Sequence, residues 1–331
     1  MRRRTCKRIV LASVVVAALG ACGSRTGLSL DDPTFAEDPD AATLPDGRRV
    51  RDGSGLRDVT ADMLPPIDSR PRPDVQRNDC PDADATLVYV VTTQNNIYSF
   101  YPADGAFKLI GNLTCPAPRG STPFSMAVDR KGKAFVVFNG AGPGGAGNGL
   151  LYEVSTLTGA CIRAPFMPNQ MNVSTFGMGF ASNDNGPDET LFIASDPQNG
   201  GPPQPAVLGS IDVKTFKLSV IAPFTPIISQ AELTGTGDGR LFAFYREGSG
   251  SAIAQIDKAT GKLVAVSPLP SVSQGMGWAF AFWGGDFYTF TSPGGTSQVT
   301  RFRPSDRSVT PVGTLNENIV GAGVSTCAPE Q

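Results

Sequence analysis

The sequence predicts an all-β protein: a five-bladed β-propeller with a split blade, preceded by a signal peptide and a disordered tether. Three observations predict the propeller. Five similar segments begin 52, 56, 46 and 42 residues apart, the spacing of four-stranded blades. Four of them are followed by a turn, a second strand and a hairpin. The fifth is followed by nothing of the kind, and its missing strands lie at the other end of the domain.

The segments are Phe124–Asp129, Phe176–Ala181, Glu232–Gly237, Trp278–Trp283 and Val320–Ser325. Second strands are expected at KAFVVF, TLFIAS, RLFAFY and DFYTF, then hairpins at 150–162, 208–220, 253–265 and 298–310. TLVYVV (86–91), NIYSFY (96–101) and FKLIGNL (107–113) should join the last segment as one blade. That closure removes open sheet edges. Alternate residues face opposite sides of a strand. In the second and fourth positions of the five segments, nine of ten residues are Gly, Ala or Ser, Leu233 being the exception. Large faces can therefore pack on small ones around a crowded ring. Glu232, Thr234 and Thr236 stand out, because they replace bulky apolar residues. A polar innermost strand needs partners, water or a ligand.

Composition agrees and excludes. Glycine (38) and proline (28) are frequent, and charged residues make up 18% against a usual ~25%. A net charge of −2 gives no footprint for nucleic acid. Histidine is absent, which removes the commonest general base and transition-metal ligand.

The amino terminus reads as an address. Residues 2–8 carry five positive charges, and Ile9–Leu19 is an apolar run too short for a bilayer. Leu19-Gly20-Ala21-Cys22 resembles the bacterial lipobox. The resemblance implies a lipoprotein signal peptide over 1–21, cleavage before Cys22, and anchoring to the lipid bilayer through acyl chains on that cysteine. Gly23 and Ser24 follow, not Asp, which leans the cell-envelope address toward the outer membrane. Residues 22–79 are expected to form a lipidated disordered tether. Positions 23–79 hold twelve acids, eight arginines, seven prolines and one aromatic, Phe35. The propeller then occupies 80–331.

Cys80, Cys115, Cys161 and Cys327 remain after the signal and the lipid site, an even number in an exported chain. The repeat register pairs Cys80 with Cys327, in place of the hairpin that joins first and second strands elsewhere. Cys115 then pairs with Cys161.

Thr122-Pro-Phe-Ser-Met-Ala-Val-Asp129 with Gly132 and AFVV resembles the NHL-type propeller repeat. Ile256-Asp-Lys-Ala-Thr-Gly-Lys-Leu-Val264 resembles the hairpin of quinoprotein-like propellers, without the tryptophan that docks after its Lys. Both imply a fold and no activity. Streptogramin lyase-like propellers use a histidine that this chain lacks.

Candidate sites are few. The glycine-rich loop 140–149 lacks Gly-Lys-Ser/Thr and reads as a connector. Asp184, Asn185, Asp188 and Glu189 gather oxygen ligands around a turn, so no cofactor is expected apart from a possible calcium. Loops leading into the first strands should ring one channel mouth with Arg119, Asn169, Gln170, Asn172, Gln230, Gln274 and Asn316–Asn318. Trp278 and Trp283 should flank the fifth. Together with Glu232, Thr234 and Thr236 these are the candidate ligand contacts. The leading expectation is a non-catalytic, membrane-anchored envelope lipoprotein that binds or scaffolds an extracytoplasmic protein or polysaccharide. The alternative is a periplasmic hydrolase or lyase using a carboxylate or calcium at the channel mouth.

Overall fold

The computed structural model describes residues 80, 87–140, 148–183, 187–197 and 205–331. The signal peptide, Cys22 and the tether expected over 22–79 lie outside them. No helix among the described residues is long and apolar enough to cross a membrane.

Among the described residues, twenty strands form five four-stranded antiparallel sheets. Blade 2 is β4 (Thr122–Val128), β5 (Lys133–Asn139), β6 (Leu150–Ser155) and the short β7 (Cys161–Arg163). Blade 3 is β8 (Phe176–Ser182), β9 (Glu189–Ser195), β10 (Val207–Asp212) and β11 (Lys217–Pro223). Blade 4 is β12 (Ala231–Gly235), β13 (Leu241–Glu247), β14 (Gly250–Ile256) and β15 (Leu263–Leu269). Blade 5 is β16 (Trp278–Trp283), β17 (Asp286–Thr291), β18 (Ser297–Arg303) and β19 (Ser308–Leu315).

Blade 1 is the split blade. β20 (Ile319–Val324) pairs with β1 (Val88–Thr92), followed by β2 (Asn96–Tyr101) and β3 (Ala106–Asn112). The pairing runs from Val88 opposite Val324 to Val91 opposite Gly321. Both expected disulfides are present. Cys80–Cys327 clasps the two ends of the domain across 247 residues, and Cys115–Cys161 ties blade 1 to blade 2.

The innermost strands β4, β8, β12, β16 and β20 stand side by side in a closed ring. Blades 2, 3 and 5 each turn a large face to the blade before. Met126 and Val128 pack on Tyr89, Val91 and Ile97, while Phe176, Met178 and Phe180 pack on Phe135 and Val137. The receiving faces are small because backbones approach closely there. A Cβ on Gly321 would lie 2.8 Å from the Met126 nitrogen, and one on Gly179 would lie 2.7 Å from the Leu233 oxygen.

Blade 4 departs from the expected register by one residue. Ala231, Leu233 and Gly235, not Glu232, Thr234 and Thr236, face blade 3: Leu233 joins Phe192 and Leu208 in one apolar cluster, and Gly235 abuts Ala181. Leu233 is therefore no exception to the large-on-small rule. Glu232 and Thr234 instead occupy the small-side positions held elsewhere by Ser125, Gly177, Ala279 and Gly321, and by Ala127, Gly179, Ala281 and Gly323.

Candidate functional site

That shift explains a buried acid at the centre of the ring. Four counterparts of Glu232 are Ser, Gly, Ala and Gly, which leaves room for one long side chain. Glu232 is 4% exposed and reaches across the axis to blade 2, where the Ser125 hydroxyl donates to Oε2 at 2.6 Å. Ser125 Oγ in turn accepts the Met178 N–H at 3.1 Å. Burial pushes the Glu232 carboxyl well above the usual carboxylate range, and the charge of Asp196 adds to this, against the hydrogen bonds from Ser125 and the Met178 N–H. Thr234 and Thr236 also have protein partners. Thr234 Oγ1 accepts the Phe282 N–H at 3.3 Å, and Thr236 shares its hydroxyl with Asp238 and the Arg240 N–H. The polar strand of blade 4 is thus satisfied by neighbouring backbone and side chains.

The two mouths of the channel differ. At the trailing mouth, where the innermost strands end, buried Arg130 donates from Nη1 to Ser182 Oγ at 3.2 Å and to Thr326 Oγ1 at 3.1 Å. Its backbone N–H donates to Glu189 Oε1 at 2.7 Å, and the Thr326 hydroxyl donates to Glu189 Oε2 at 3.0 Å. Burial raises the Glu189 carboxyl from its usual value to about 7, its bonds to the Arg130 N–H and Thr326 partly opposing this. Lys258 Nζ donates to the Ser182 carbonyl at 3.0 Å, and the sulfur of Cys327 sits 3.8 Å from the Arg130 carbonyl. Among the calcium candidates, Asp184 and Asn185 lie outside the described residues. Glu189 is engaged as above, and the Asp188 carbonyl accepts the Asn183 N–H at 2.8 Å. No cluster of three metal-ligating side chains occurs among the described residues.

The leading mouth, where the innermost strands begin, is open in its chemistry. Gln170 does not present its amide there. It donates to the Phe216 carbonyl at 2.9 Å and the Met167 carbonyl at 3.2 Å, and accepts the Leu218 N–H at 3.0 Å. These bonds pin the 164–175 loop to the β10–β11 hairpin. The same turn holds Asn169, Met171 and Asn172 at φ of 64°, 53° and 62°, left-handed conformations that cost energy in residues other than glycine. Glu317 is also tied down, accepting from Thr92, Asn96 and Tyr98 at 2.6, 2.9 and 2.7 Å. Gln230 and Trp278 are half-buried, and Trp278 meets the Phe244 ring edge-on at 5.7 Å. Trp283 is not at this mouth. β16 carries it to the opposite end, where it contacts Tyr101.

Two features mark the leading mouth, and of the residues that carry them Gln274 and Asn318 were expected there from the sequence while Ser121 and the apolar side chains were not. Three buried polar atoms, Ser121 Oγ, Gln274 Nε2 and Asn318 Oδ1, have no hydrogen-bond partner among the described residues. They sit just ahead of β4, β16 and β20, and such atoms in folded proteins are met by water or a ligand. Beside them stand exposed apolar side chains: Met167, Met171, Ile227 and Met276, at 70%, 64%, 75% and 81% exposure. They belong to the loops leading into blades 3, 4 and 5. Large apolar residues in loops without period-2 alternation were the signal available.

No protein-family description and no curated protein matches this chain. Solved structures do. A chain of the nidogen/laminin complex aligns with 72% of this chain and 97% of its own length, at 10% identity and TM-score 0.46. TolB from Acinetobacter baumannii aligns over 72% of this chain and 54% of its own, at 17% identity and TM-score 0.39. A luciferin-regenerating enzyme aligns over 71% and 77%, at 15% identity and TM-score 0.39. The chain itself is a five-bladed β-propeller whose split blade is closed by its own last strand.

Proposed function

We propose that the chain is a membrane-anchored envelope lipoprotein whose propeller binds or scaffolds an extracytoplasmic partner at its leading mouth, without catalysis. One observation carries the reading: the exposed Met167, Met171, Ile227 and Met276, on successive loops around that mouth. Exposed apolar groups gathered at one end of a fold can serve as an interaction surface, and methionine adapts its shape to a partner. Of protein and polysaccharide, this chemistry favours protein. The orphaned Ser121, Gln274 and Asn318 atoms would supply hydrogen bonds beneath the apolar rim. Glu232, the carboxyl that the hydrolase alternative would use, is buried and hydrogen-bonded in the ring, which favours binding over hydrolysis. The two disulfides support export to an oxidising compartment. The lipobox at Leu19–Cys22 supports the anchor.

The partner test compares the full chain with two double variants in capture from envelope extract. Met171→Ser with Met276→Ser should lose a specifically captured protein. Leu109→Ser with Ile162→Ser, exposed apolar positions on outer strands, should retain it. Equal capture by both variants would overturn the site. Hydrolysis or lyase turnover abolished by Glu232→Gln would overturn the non-catalytic reading. A Cys22→Ser chain should leave the membrane fraction, and wild-type fractionation of that variant would overturn the anchor.

A further inference from the structure

A separate cleft of about 280 Å³ lies between blades 4 and 5, at the trailing end. Its walls are aromatic: Phe242 of β13, Phe282 of β16, Phe287 of β17 and Phe302 of β18. Phe242 meets Phe287 edge-on at 4.9 Å, and Phe282 meets Phe287 at 5.1 Å, so the walls hold one another. A dry apolar cavity of about 150 Å³ already accepts benzene, so this cleft has room for a substituted ring.

The rim is polar, and its Arg240 has a counter-charge in Asp238. Arg240 lies over the Phe242 and Phe282 rings at 5.6 and 5.3 Å, and its Nε is 2.7 Å from Asp238 Oδ2. Glu330 is brought to the cleft by residues 328–331, where the Gly284 N–H donates to the Pro329 carbonyl at 2.8 Å, and it too has a partner. Gln255 and Ser267 add an amide and a hydroxyl. Beside them Ala265 is held at φ 48°, a left-handed conformation that places the bulge of β15 at the rim. Strained residues of this kind gather at ligand clamps.

We propose that this cleft is a second binding site, for a small neutral molecule with a ring-sized apolar body and one hydroxyl or amide head. The phenylalanines would take the body, as in most small-molecule sites. Gln255 and Ser267 would read the head. A charged head is disfavoured because Arg240 already faces Asp238, and bringing an unmatched charge beside four buried rings costs desolvation. The site does not depend on any partner at the leading mouth, at the far end of the channel.

The test is ligand-observed NMR titration of the purified full chain with benzyl alcohol, toluene, benzoate and benzylamine. Benzyl alcohol should bind with about tenfold or greater preference over benzoate and benzylamine. Ser267→Trp should fill the cleft and abolish binding. Gln255→Leu should weaken benzyl alcohol several-fold and leave toluene unchanged. Circular dichroism and thermal melts establish that each variant is folded, and either folded variant suffices for the comparison. Benzoate or benzylamine binding more tightly than benzyl alcohol, or benzyl alcohol binding equally to wild type and folded variants, would overturn the proposal.

Discussion

The two mouths of the same channel are built from the same five strands and end in opposite chemistry. At the trailing mouth Arg130 Nη1, Ser182, Glu189 and Thr326 are joined in one hydrogen-bonded group, with Arg130 Nε buried outside it, and the Cys80–Cys327 bond lies against them. At the leading mouth Ser121, Gln274 and Asn318 keep orphaned atoms under exposed methionines. Closing a ring needs one end where the chain is clasped. Once that end carries the clasp, the loops at the other are free to vary and to bind. Between them Glu232 of blade 4 is buried and bonded to Ser125 of blade 2.

Breaking the clasp should give the largest effect. Cys80→Ser with Cys327→Ser releases a 247-residue separation, and the chain-entropy account puts the loss at about 5 kcal/mol. Chemical denaturation should show it as a fall in midpoint. A change below about 1 kcal/mol would mean that β20 holds blade 1 by pairing alone.

The pH dependence comes next, and its sign follows from Glu189. Its folded value, about 7, lies above the usual 4.5, so the folded chain binds the extra proton. Its contribution is therefore full below about pH 4.5 and lost as pH rises through 7, by up to about 3 kcal/mol. Thermal melts of wild type should fall over that window relative to Glu189→Gln. Parallel curves would place the proton elsewhere.

Glu232 gives a smaller, sharper test. Glu232→Gln keeps the shape and removes the ionisable group, and because burial raises the carboxyl, its stability relative to wild type should increase as pH rises. Glu232→Ala should cost about 2 kcal/mol, by leaving a cavity and removing the hydrogen bond from Ser125. Equal losses for Gln and Ala would contradict a buried carboxyl that fills this space and accepts from Ser125. The smallest effect on stability belongs to the leading mouth. Met171→Ser with Met276→Ser should shift the denaturation midpoint by less than about 0.5 kcal/mol while removing partner capture.

Much of the fold was legible because its rules are local. Alternation of Phe176, Met178 and Phe180 with Gly177 and Gly179 shows both faces of a strand at once. The lone segment at Val320 had to find its blade at residues 86–113. The cysteines followed from that register. The site was less legible because its partners are distant in sequence. Glu232 stood out as polar, but Ser125 lies 107 positions away. Its place on the small side depended on a one-residue shift that Ala231 and Leu233, both apolar, disguise. Gln170 looked like a ligand amide, and its three backbone partners include residues 46 and 48 positions on. The exposed methionines were passed over because polar residues were weighed as ligand contacts and apolar ones as core.

The most direct measurement of the contrast between the mouths is methionine oxidation by dilute peroxide, read by peptide mass spectrometry, on the free chain and on its complex with the captured partner. Met167, Met171 and Met276 should oxidise readily in the free chain and be protected in the complex. Met126 and Met178, fully buried in the ring, should resist oxidation in both states. Unchanged oxidation of the three exposed methionines in the complex would contradict a partner seated on the leading mouth.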